Sequence, residues 1–438
     1  AVQRLQGHPM IREVVTTDTV PAPEGWPQLQ VRSIATLFAE AIARSHAGES
    51  VSSLFDGARA GRRRTKSSFG TPLWWFDDPV STEAQTSTPR WKLVGPGLVV
   101  AATGVGAADL VATLIAGQKY GYALLWAVVV GCLMKIVLVE GAGRYSLATG
   151  KTIYEGWSTL GTWTHIYFVP YIVVWGFVYG AAAMAGTGLP LHSLFPFLSV
   201  KVWGIACGLI GLALVWMGRY SLFEKICAAL VALMFVTMVG AAIRTLPNLG
   251  ELVAGLVPTI PEGGVVNMLA VGGGVGGTIT LAAYGYWIRE KGWTDERSMG
   301  VMRLDNRVAY LVTGIFVVAT LIVGAELLYS ARIAVSTGDQ GLLDLSGVLA
   351  DRYGEWFGKL FLVGFFSAAM SSLIGVWNGV SLMFADLVGH LKGLSQDDPE
   401  RRAGGKWYRA YILWLTIPPI VLVMFGRPVW LILPYGVL

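Results

Sequence analysis

From residue 91 onward, the chain contains a series of apolar runs, each close to the length that crosses a lipid bilayer. A transmembrane helix needs about 20 consecutive, mostly apolar residues. The chain is 54% hydrophobic and 14% charged, whereas soluble domains carry about 25% charged residues. These features predict an all-α polytopic membrane protein with about ten spans. The predicted spans are residues 93–116, 121–140, 165–187, 200–217, 222–244, 265–288, 307–329, 357–386 and 408–425, followed by a last span that begins near residue 428 and that we expect to be truncated at residue 438.

The basic residues of the loops predict the orientation of the chain. If the amino terminus is cytoplasmic, one side of the membrane holds most of the Lys and Arg residues, among them Arg144, Lys151, Arg289 and Arg402. The positive-inside rule therefore predicts a cytoplasmic amino terminus, and we expect a bacterial plasma membrane. The formal net charge of +5 follows from this loop bias. The expected partner is the lipid bilayer, and no nucleic acid is expected.

Two common kinds of site are missing from the sequence. The three cysteines, Cys132, Cys207 and Cys227, lie in apolar segments without CxxC spacing, which predicts free buried thiols and no zinc site. A GxxxxGK[ST] motif is also missing, so no P-loop for ATP is predicted. We therefore predict that an ion gradient or the membrane potential drives any transport.

The amino-terminal segment has the character of a soluble protein. IREVVTTDTV and LQVRSIA are typical of strands, and ATLFAEAIARSHAGES has helical periodicity. Residues 1–57 resemble the carboxyl-terminal tail of ribose-phosphate pyrophosphokinases in VVTTDTVPAP, VRSIATLFAEAI and HAGESVSSLF. The catalytic elements of that family lie upstream of this tail, so the resemblance implies a remnant; an enzyme fragment is the less favoured alternative. We also predict that the chain is not an enzyme, because the phosphoribosyl and ATP sites that its amino-terminal segment would need are missing. Residues 58–90 are predicted to be a linker, and residues 91–438 a transmembrane domain.

Two of the predicted spans are interrupted by glycine in the same way. The first contains G-V-G at Gly104–Gly106, and the sixth contains G-V-G at Gly274–Gly276. The two motifs are offset by five spans, and an odd offset predicts two inverted repeats. Glycine-interrupted spans at corresponding positions of two halves indicate a transporter binding site at broken helices. The alternative is close helix packing, which glycine also permits.

The first two spans resemble the Nramp (natural resistance-associated macrophage protein) family of divalent-metal transporters. The similarity lies in GPGLVV, in LIAGQKYGYALLW at Leu114–Trp126, and in CLMKIVLVEGAGRYSLATG. It covers most of residues 91–438 and is weaker after the sixth span. The resemblance implies a LeuT-like fold built from an inverted repeat of five-helix units. It also implies transport of a divalent cation by alternating access, either as a secondary transporter or as a uniporter.

The chain departs from the metal-binding motifs of that family. The D-P-G-N of the first span corresponds to Gly106, Ala107, Ala108 and Asp109, and the M-P-H of the sixth to residues 275–277, Val-Gly-Gly. The acidic residues of the third span are replaced near residues 180–184. The remaining donors are oxygens, which favour Mg²⁺ or Mn²⁺ over softer ions. Asp109 is the predicted metal ligand, no cofactor is expected besides the transported cation, and the predicted substrate-binding residues are Thr103, Gly106, Asp109, Gly274, Gly276 and Thr278, with Thr280 as a further oxygen donor. Transport of another solute, or no transport at all, remains the alternative.

Other polar residues lie within predicted spans. Lys135 and Glu140 are interpreted mainly as a structural pair, with an inner vestibule or a snorkelling lysine as alternatives. Glu326 is expected at the outer end of the seventh span. His165 and His192 are predicted near opposite membrane faces, without a metal role. Four residues of the eighth span either line the pathway or serve helix packing: Ser367, Ser371, Ser372 and Asn378.

Overall fold

The chain divides into two compact units, Ala1–Ala84 and Gln85–Leu438. The computed structural model describes residues 14–17, 29–32, 95–245, 247–329 and 339–425. In the first unit, β1 (Val14–Thr17) and β2 (Leu29–Arg32) pair in parallel, with Val14 opposite Leu29. Both strands lie within the segments that predicted them. The helix predicted from ATLFAEAIARSHAGES and the linker at residues 58–90 lie outside the described residues.

The described part of the second unit is helical. Its α-helices are α1 (Pro96–Gly104), α2 (Ala107–Tyr120), α3 (Leu125–Thr149), α4 (Ile153–Ser158), α5 (Trp163–Leu194), α6 (Val200–Trp216), α7 (Tyr220–Arg244), α8 (Leu249–Ala254), α9 (Val265–Gly273), α10 (Thr278–Glu290), α11 (Met299–Gly324), α12 (Asp339–Tyr353), α13 (Glu355–Leu391) and α14 (Lys406–Phe425). Short 3₁₀ turns at Glu296–Ser298 and Pro399–Arg401, and a π-helical turn at Ala325–Tyr329, join some of them.

Each predicted span up to residue 425 coincides with a helix or with a pair of helices. In the described residues, six helices are long and apolar enough to cross a membrane, and the bent pair of α1 and α2 makes a seventh span. The shorter apolar helix α6 lies at the predicted fourth span, and α9 with α10 lies at the predicted sixth. The span predicted from residue 428 lies outside the described residues.

Both glycine-containing spans are broken, as the sequence predicts. Helix α1 ends at Gly104, Val105 and Gly106 are extended, and the chain turns by 56° into α2. Helix α9 ends at Gly273, and Gly276 has a φ of +93° before α10 begins. A residue with a Cβ rarely adopts that φ, so glycine is required at this position.

The centre of the membrane unit is α13, a helix of 37 residues that is buried along most of its length. It packs against α1, α5, α7, α10 and α14. Asn378 of α13 accepts a hydrogen bond from the indole of Trp287 (2.8 Å) and donates one to the hydroxyl of Tyr408 (2.8 Å). These bonds join α13 to α10 and α14, so Asn378 serves helix packing.

Candidate functional site

The two helix breaks touch each other inside the membrane unit. A Cβ placed on Gly104 would lie 2.8 Å from the Cα of Gly276, which is closer than carbon atoms pack. Val105 and Val275, which neighbour these glycines, are both fully buried. The small residues thus serve both predicted purposes, because they break the spans and also let the two backbones meet.

Asp109 connects the two breaks. One carboxylate oxygen, Oδ2, accepts a hydrogen bond from the amide of Gly106 (2.9 Å) and so caps the start of α2. The other, Oδ1, faces the second break, since a Cβ on Gly274 would lie 2.8 Å from it. A helix amino terminus favours negative charge on the group that caps it.

The threonines predicted for the site contribute differently. The Thr103 hydroxyl donates to the carbonyl of Val99 within α1, so it is engaged in its own helix. Its methyl group points at Gly375, where an added Cβ would lie 2.1 Å away. Thr278 begins α10 and its backbone therefore lies at the second break. The side chains of Thr278 and Thr280 lie outside the described features.

Two serines of α13 satisfy the carbonyl groups at the end of α1. Ser371 Oγ donates to the carbonyl of Ala102 (3.1 Å), and Ser372 Oγ donates to that of Thr103 (3.1 Å). The hydroxyl of Tyr179 on α5 lies 3.1 Å from the carbonyl of Ser372 and donates to it. The two serines, which the sequence left between pathway and packing, therefore lie at the first break. Ser367 bonds within α13 instead.

Lys135 of α3 serves the second break. Its Nζ donates to the carbonyl of Gly276 at 2.6 Å, and the residue is 7% exposed. The expected pairing with Glu140 is wrong, since Glu140 contacts Arg144 (3.6 Å) and Arg303 (3.1 Å). Residues five apart on a helix point about 140° away from each other, which separates the two side chains.

A buried hydroxyl also lies at the second break. Tyr310 of α11 is 2% exposed, and an added Cβ on Gly276 would lie 3.3 Å from its hydroxyl oxygen. Within the described ranges this hydroxyl has no hydrogen-bond partner. Buried polar groups are rarely left unpaired, and an unbound ligand or water is one reason for an exception. Tyr310 was not predicted as a site residue, because no sequence motif distinguishes it from the other residues of its span.

No dense cluster of metal ligands accompanies Asp109 in the part of the chain that the structure describes, where no group of three His, Cys, Asp or Glu side chains could hold an ion. In the third span, a Cβ on Gly180 would lie 2.2 Å from the carbonyl of Leu415, so close packing against α14 excludes an acidic side chain there.

His165 contacts Tyr154, and its ring lies 5.9 Å from that of His390, a neighbour that the sequence did not indicate. His192 bonds the carbonyl of Leu198.

The amino terminus of α1 is held by a second buried carboxylate. Asp305 of α11 accepts hydrogen bonds from the amides of Gly95 (2.9 Å) and Gly97 (2.6 Å), and from the Tyr284 hydroxyl (2.9 Å). The residue is fully buried. Asp305 therefore fixes one end of the helix whose other end forms the first break.

A polar cluster ties together the ends of several spans on the face that carries the basic loops. Asp386, near the end of α13, accepts hydrogen bonds from Thr152 (2.6 Å), Tyr286 (2.7 Å) and Arg401. Arg401 also pairs with Glu155 at 2.7 Å. Burial disfavours the charged guanidinium, but the two carboxylates outweigh this and raise the pKa of Arg401. This Asp386 cluster borders a cavity of about 390 Å³.

The opposite face has a smaller polar contact. The hydroxyl of Tyr122 donates to Glu326 Oε1 (2.6 Å), and the amide of Asn248 donates to the same oxygen (3.0 Å). Glu326 thus lies at the end of the seventh span, as expected, and joins it to the start of α3 and to α8.

Comparison with known proteins agrees with this architecture. The family model described as natural resistance-associated macrophage protein-like, Nramp, matches residues 97–435. A divalent metal cation transporter, MntH, of Mycobacterium leprae is 24% identical over 323 residues, which cover 69% of this chain and 72% of that protein. A separate stretch of 57 residues is 56% identical to a ribose-phosphate pyrophosphokinase of Caldanaerobacter subterraneus, but it covers 18% of that enzyme and 13% of this chain.

Solved structures share the fold at low identity. A manganese transporter mutant from Eremococcus coleocola superposes with a TM-score of 0.64 at 17% identity, covering 82% of this chain and 78% of that one. MhsT in complex with L-phenylalanine superposes with a TM-score of 0.51 at 17% identity, covering 78% and 80%. The membrane unit therefore has the LeuT-like fold of inverted repeats. The chain belongs to the Nramp family of integral membrane transporters and is not an enzyme.

Proposed function

We propose that this chain is a secondary transporter that moves a divalent cation across the membrane by alternating access, with Asp109 as its charged ligand and without a cofactor. The observation that carries the proposal is the position of Asp109, which caps one broken span and faces the other. Broken spans at matched positions are where transporters of this architecture bind their cargo. The names of the M. leprae and E. coleocola relatives support a divalent metal, and manganese in the second case.

The donor atoms at the site favour a hard cation, Mg²⁺ or Mn²⁺. The oxygens of Asp109 and Tyr310 and the carbonyl of Gly276 lie at the breaks, whereas the positions of the family's Met and His are Val275 and Gly277. Oxygen donors suit Mg²⁺ and Mn²⁺, and soft ions prefer sulfur. A single carboxylate fits an ion that keeps much of its water shell, as Mg²⁺ does.

Alternating access requires contacts that open and close at the two membrane faces. The Asp386 cluster joins helix ends at the face with the basic loops, and Glu326 with Tyr122 joins helices at the other. The positive-inside rule makes the first face cytoplasmic and places the amino terminus there, in a bacterial plasma membrane. The transported cation would then pass the breaks between these two polar contacts.

Flux measurements on the purified full chain in liposomes test the proposal. Entry of Mn²⁺ or Mg²⁺ is followed with an enclosed fluorescent indicator in wild type and in Asp109→Asn, which keeps the shape and removes the charge. We expect loss of at least 90% of the flux, on the order of a tenfold effect or more for a ligand in a dry site. Asp351→Asn, an exposed position on α12, is the matched control and should leave the flux unchanged. If Asp109→Asn transports the cation at the wild-type rate, the proposal is wrong.

A second candidate is transport of a solute that is not a divalent cation. The observation that favours it is the position of Lys135, whose amino group lies 2.6 Å from the carbonyl of Gly276, where a positive charge disfavours a divalent cation. If wild-type liposomes take up neither Mg²⁺ nor Mn²⁺, while thermal stability rises with a monovalent cation or a small zwitterionic solute, this candidate replaces the first.

A further inference from the structure

Lys135 is buried where its neighbours on α3 face lipid. Leu133, Met134, Val137 and Leu138 are each more than half exposed, at 59%, 60%, 70% and 54%, whereas Lys135 is 7% exposed. A lysine in a membrane span usually extends toward the nearest interface. This side chain points into the protein instead, and an ionisable residue placed inward in a span is expected to have a function.

Close helix packing brings Lys135 to the second break. A Cβ on Gly131, one turn earlier on α3, would lie 2.3 Å from the carbonyl of Gly272 on α9. Residues four apart share one face of a helix. The contact at Gly131 therefore sets the distance at which the Lys135 ammonium meets the carbonyl of Gly276.

The carbonyl groups at the two breaks accept hydrogen bonds from different kinds of donor. At the first break, the carbonyls of Ala102 and Thr103 accept from neutral serine hydroxyls. At the second, the carbonyl of Gly276 accepts from a cation. Charge-assisted hydrogen bonds are roughly twice as strong as neutral ones. At the second break, the positively charged Lys135 therefore occupies a carbonyl oxygen that an incoming cation would need.

We propose that the Lys135 ammonium is a tethered cation at the second break, which an incoming divalent cation must displace from the Gly276 carbonyl before it binds Asp109 and the Tyr310 hydroxyl. Lys135 is then a specificity-determining residue that lowers the affinity for divalent cations. A divalent ion is repelled by the ammonium twice as strongly as a monovalent ion at the same distance. This inference rests on the proposed transport function for the identity of the cargo.

Substitutions at Lys135 separate its charge from its hydrogen bond. Lys135→Gln removes the charge and keeps a donor for Gly276, Lys135→Met removes both, and Lys135→Arg keeps both. Binding of Mn²⁺ to the purified full chain is measured through the free-ion signal in electron paramagnetic resonance, at one pH and ionic strength. We expect Lys135→Gln to bind at least about tenfold more tightly than wild type, a common size for coupling between charged sites. Lys135→Arg should resemble wild type, and Lys151→Met at an exposed position is the control.

Tyr310 gives a test that a purely structural role would not meet. Tyr310→Phe removes an unpaired buried hydroxyl, so the thermal stability without Mn²⁺ should be unchanged or higher, while Mn²⁺ binding becomes weaker. Adding Asp109→Asn to Lys135→Gln should abolish the gain in affinity. If Lys135→Met does not fold, Lys135→Gln still decides the question, because the amide preserves the bond to the break.

The outcomes distinguish the two proposals. If the wild type transports the cation but Lys135→Gln binds Mn²⁺ no more tightly than the wild type, the tethered-cation proposal is wrong and the transport function is unaffected. No wild-type flux with tight binding in Lys135→Gln supports the tethered cation and overturns divalent transport by this chain. Absence of Mn²⁺ binding in every variant overturns both.

Discussion

Replacing Gly104 by Ala tests whether contact between the two breaks holds the site together. The added methyl group would lie 2.8 Å from the Cα of Gly276. Carbon atoms pack best at about 3.5–4.0 Å, so the two backbones must separate by about 0.7 Å or more. The neighbour is backbone at a φ of +93°, and it cannot rotate away as a long side chain would.

The cost follows from that geometry. Overpacking in a well-packed interior costs about 1–3 kcal/mol, and gaining alanine in a helix returns at most about 1 kcal/mol. We expect Gly104→Ala to lower the free energy of unfolding by about 1–2 kcal/mol. The separation also moves the second break away from the Asp109 carboxylate that faces it, so cation binding should weaken together with stability.

Thermal unfolding in detergent, followed by tryptophan fluorescence, measures the effect. Gly273→Ala is the matched control because it makes the same change in the other broken span, at a position where an added Cβ meets nothing within 4 Å. It should be as stable as wild type or slightly more stable. If Gly104→Ala and Gly273→Ala unfold at the same temperature and bind Mn²⁺ equally, the breaks do not touch and the description of the site is wrong.

Two further predictions concern carboxylates away from the breaks. Asp305→Asn keeps the shape but replaces one of the two oxygens that accept from the amides of Gly95 and Gly97 with an NH2 donor. It should therefore destabilise the protein by about 1–2 kcal/mol in the same unfolding assay, as loss of a helix cap does; an unchanged unfolding temperature would contradict this role. Arg401→Gln leaves the buried carboxylate of Asp386 without its cation and should cost about 3–5 kcal/mol, the range for breaking a buried ion pair. The adjacent Arg402→Gln is the control, because that side chain is 59% exposed and surface pairs contribute about 0–1 kcal/mol; equal losses in the two variants would refute the distinction.

The positions of the helices along the chain could be predicted from the sequence, because local features determine them. Spans of about 20 apolar residues have few stable alternatives in a bilayer, since each backbone polar group must be satisfied within the segment. The breaks could be predicted for a related reason. The G-V-G motifs weaken the helix at two matched positions, and Asp109 stands three residues after Gly106, where its carboxylate can cap the next helix.

The partners at the breaks could not be predicted in the same way. Lys135 meets Gly276 across 141 residues, and Asp305 meets Gly95 across 210. Such contacts depend on how the helices pack, which hydropathy does not specify. The expected Lys135–Glu140 pair failed because separation along the chain was used in place of helix geometry. The presence of a lysine in the middle of an apolar run was a usable signal, but the run did not show which way the side chain faces.

The carbonyl groups at the two breaks need hydrogen-bond donors when no cargo is bound. A carbonyl freed by a helix break within hydrocarbon must find a hydrogen-bond donor, because no bulk water is available there. Serine hydroxyls from α13 meet this requirement at the first break without adding charge, and they hold α1 in place. Lys135 meets it at the second break with a positive charge. A cation can therefore exchange with a like-charged group at the second break, while the first keeps its bonds. Under the proposed exchange, cation binding changes the hydrogen bonding at the second break, and the serine bonds make the first break the fixed side of the site.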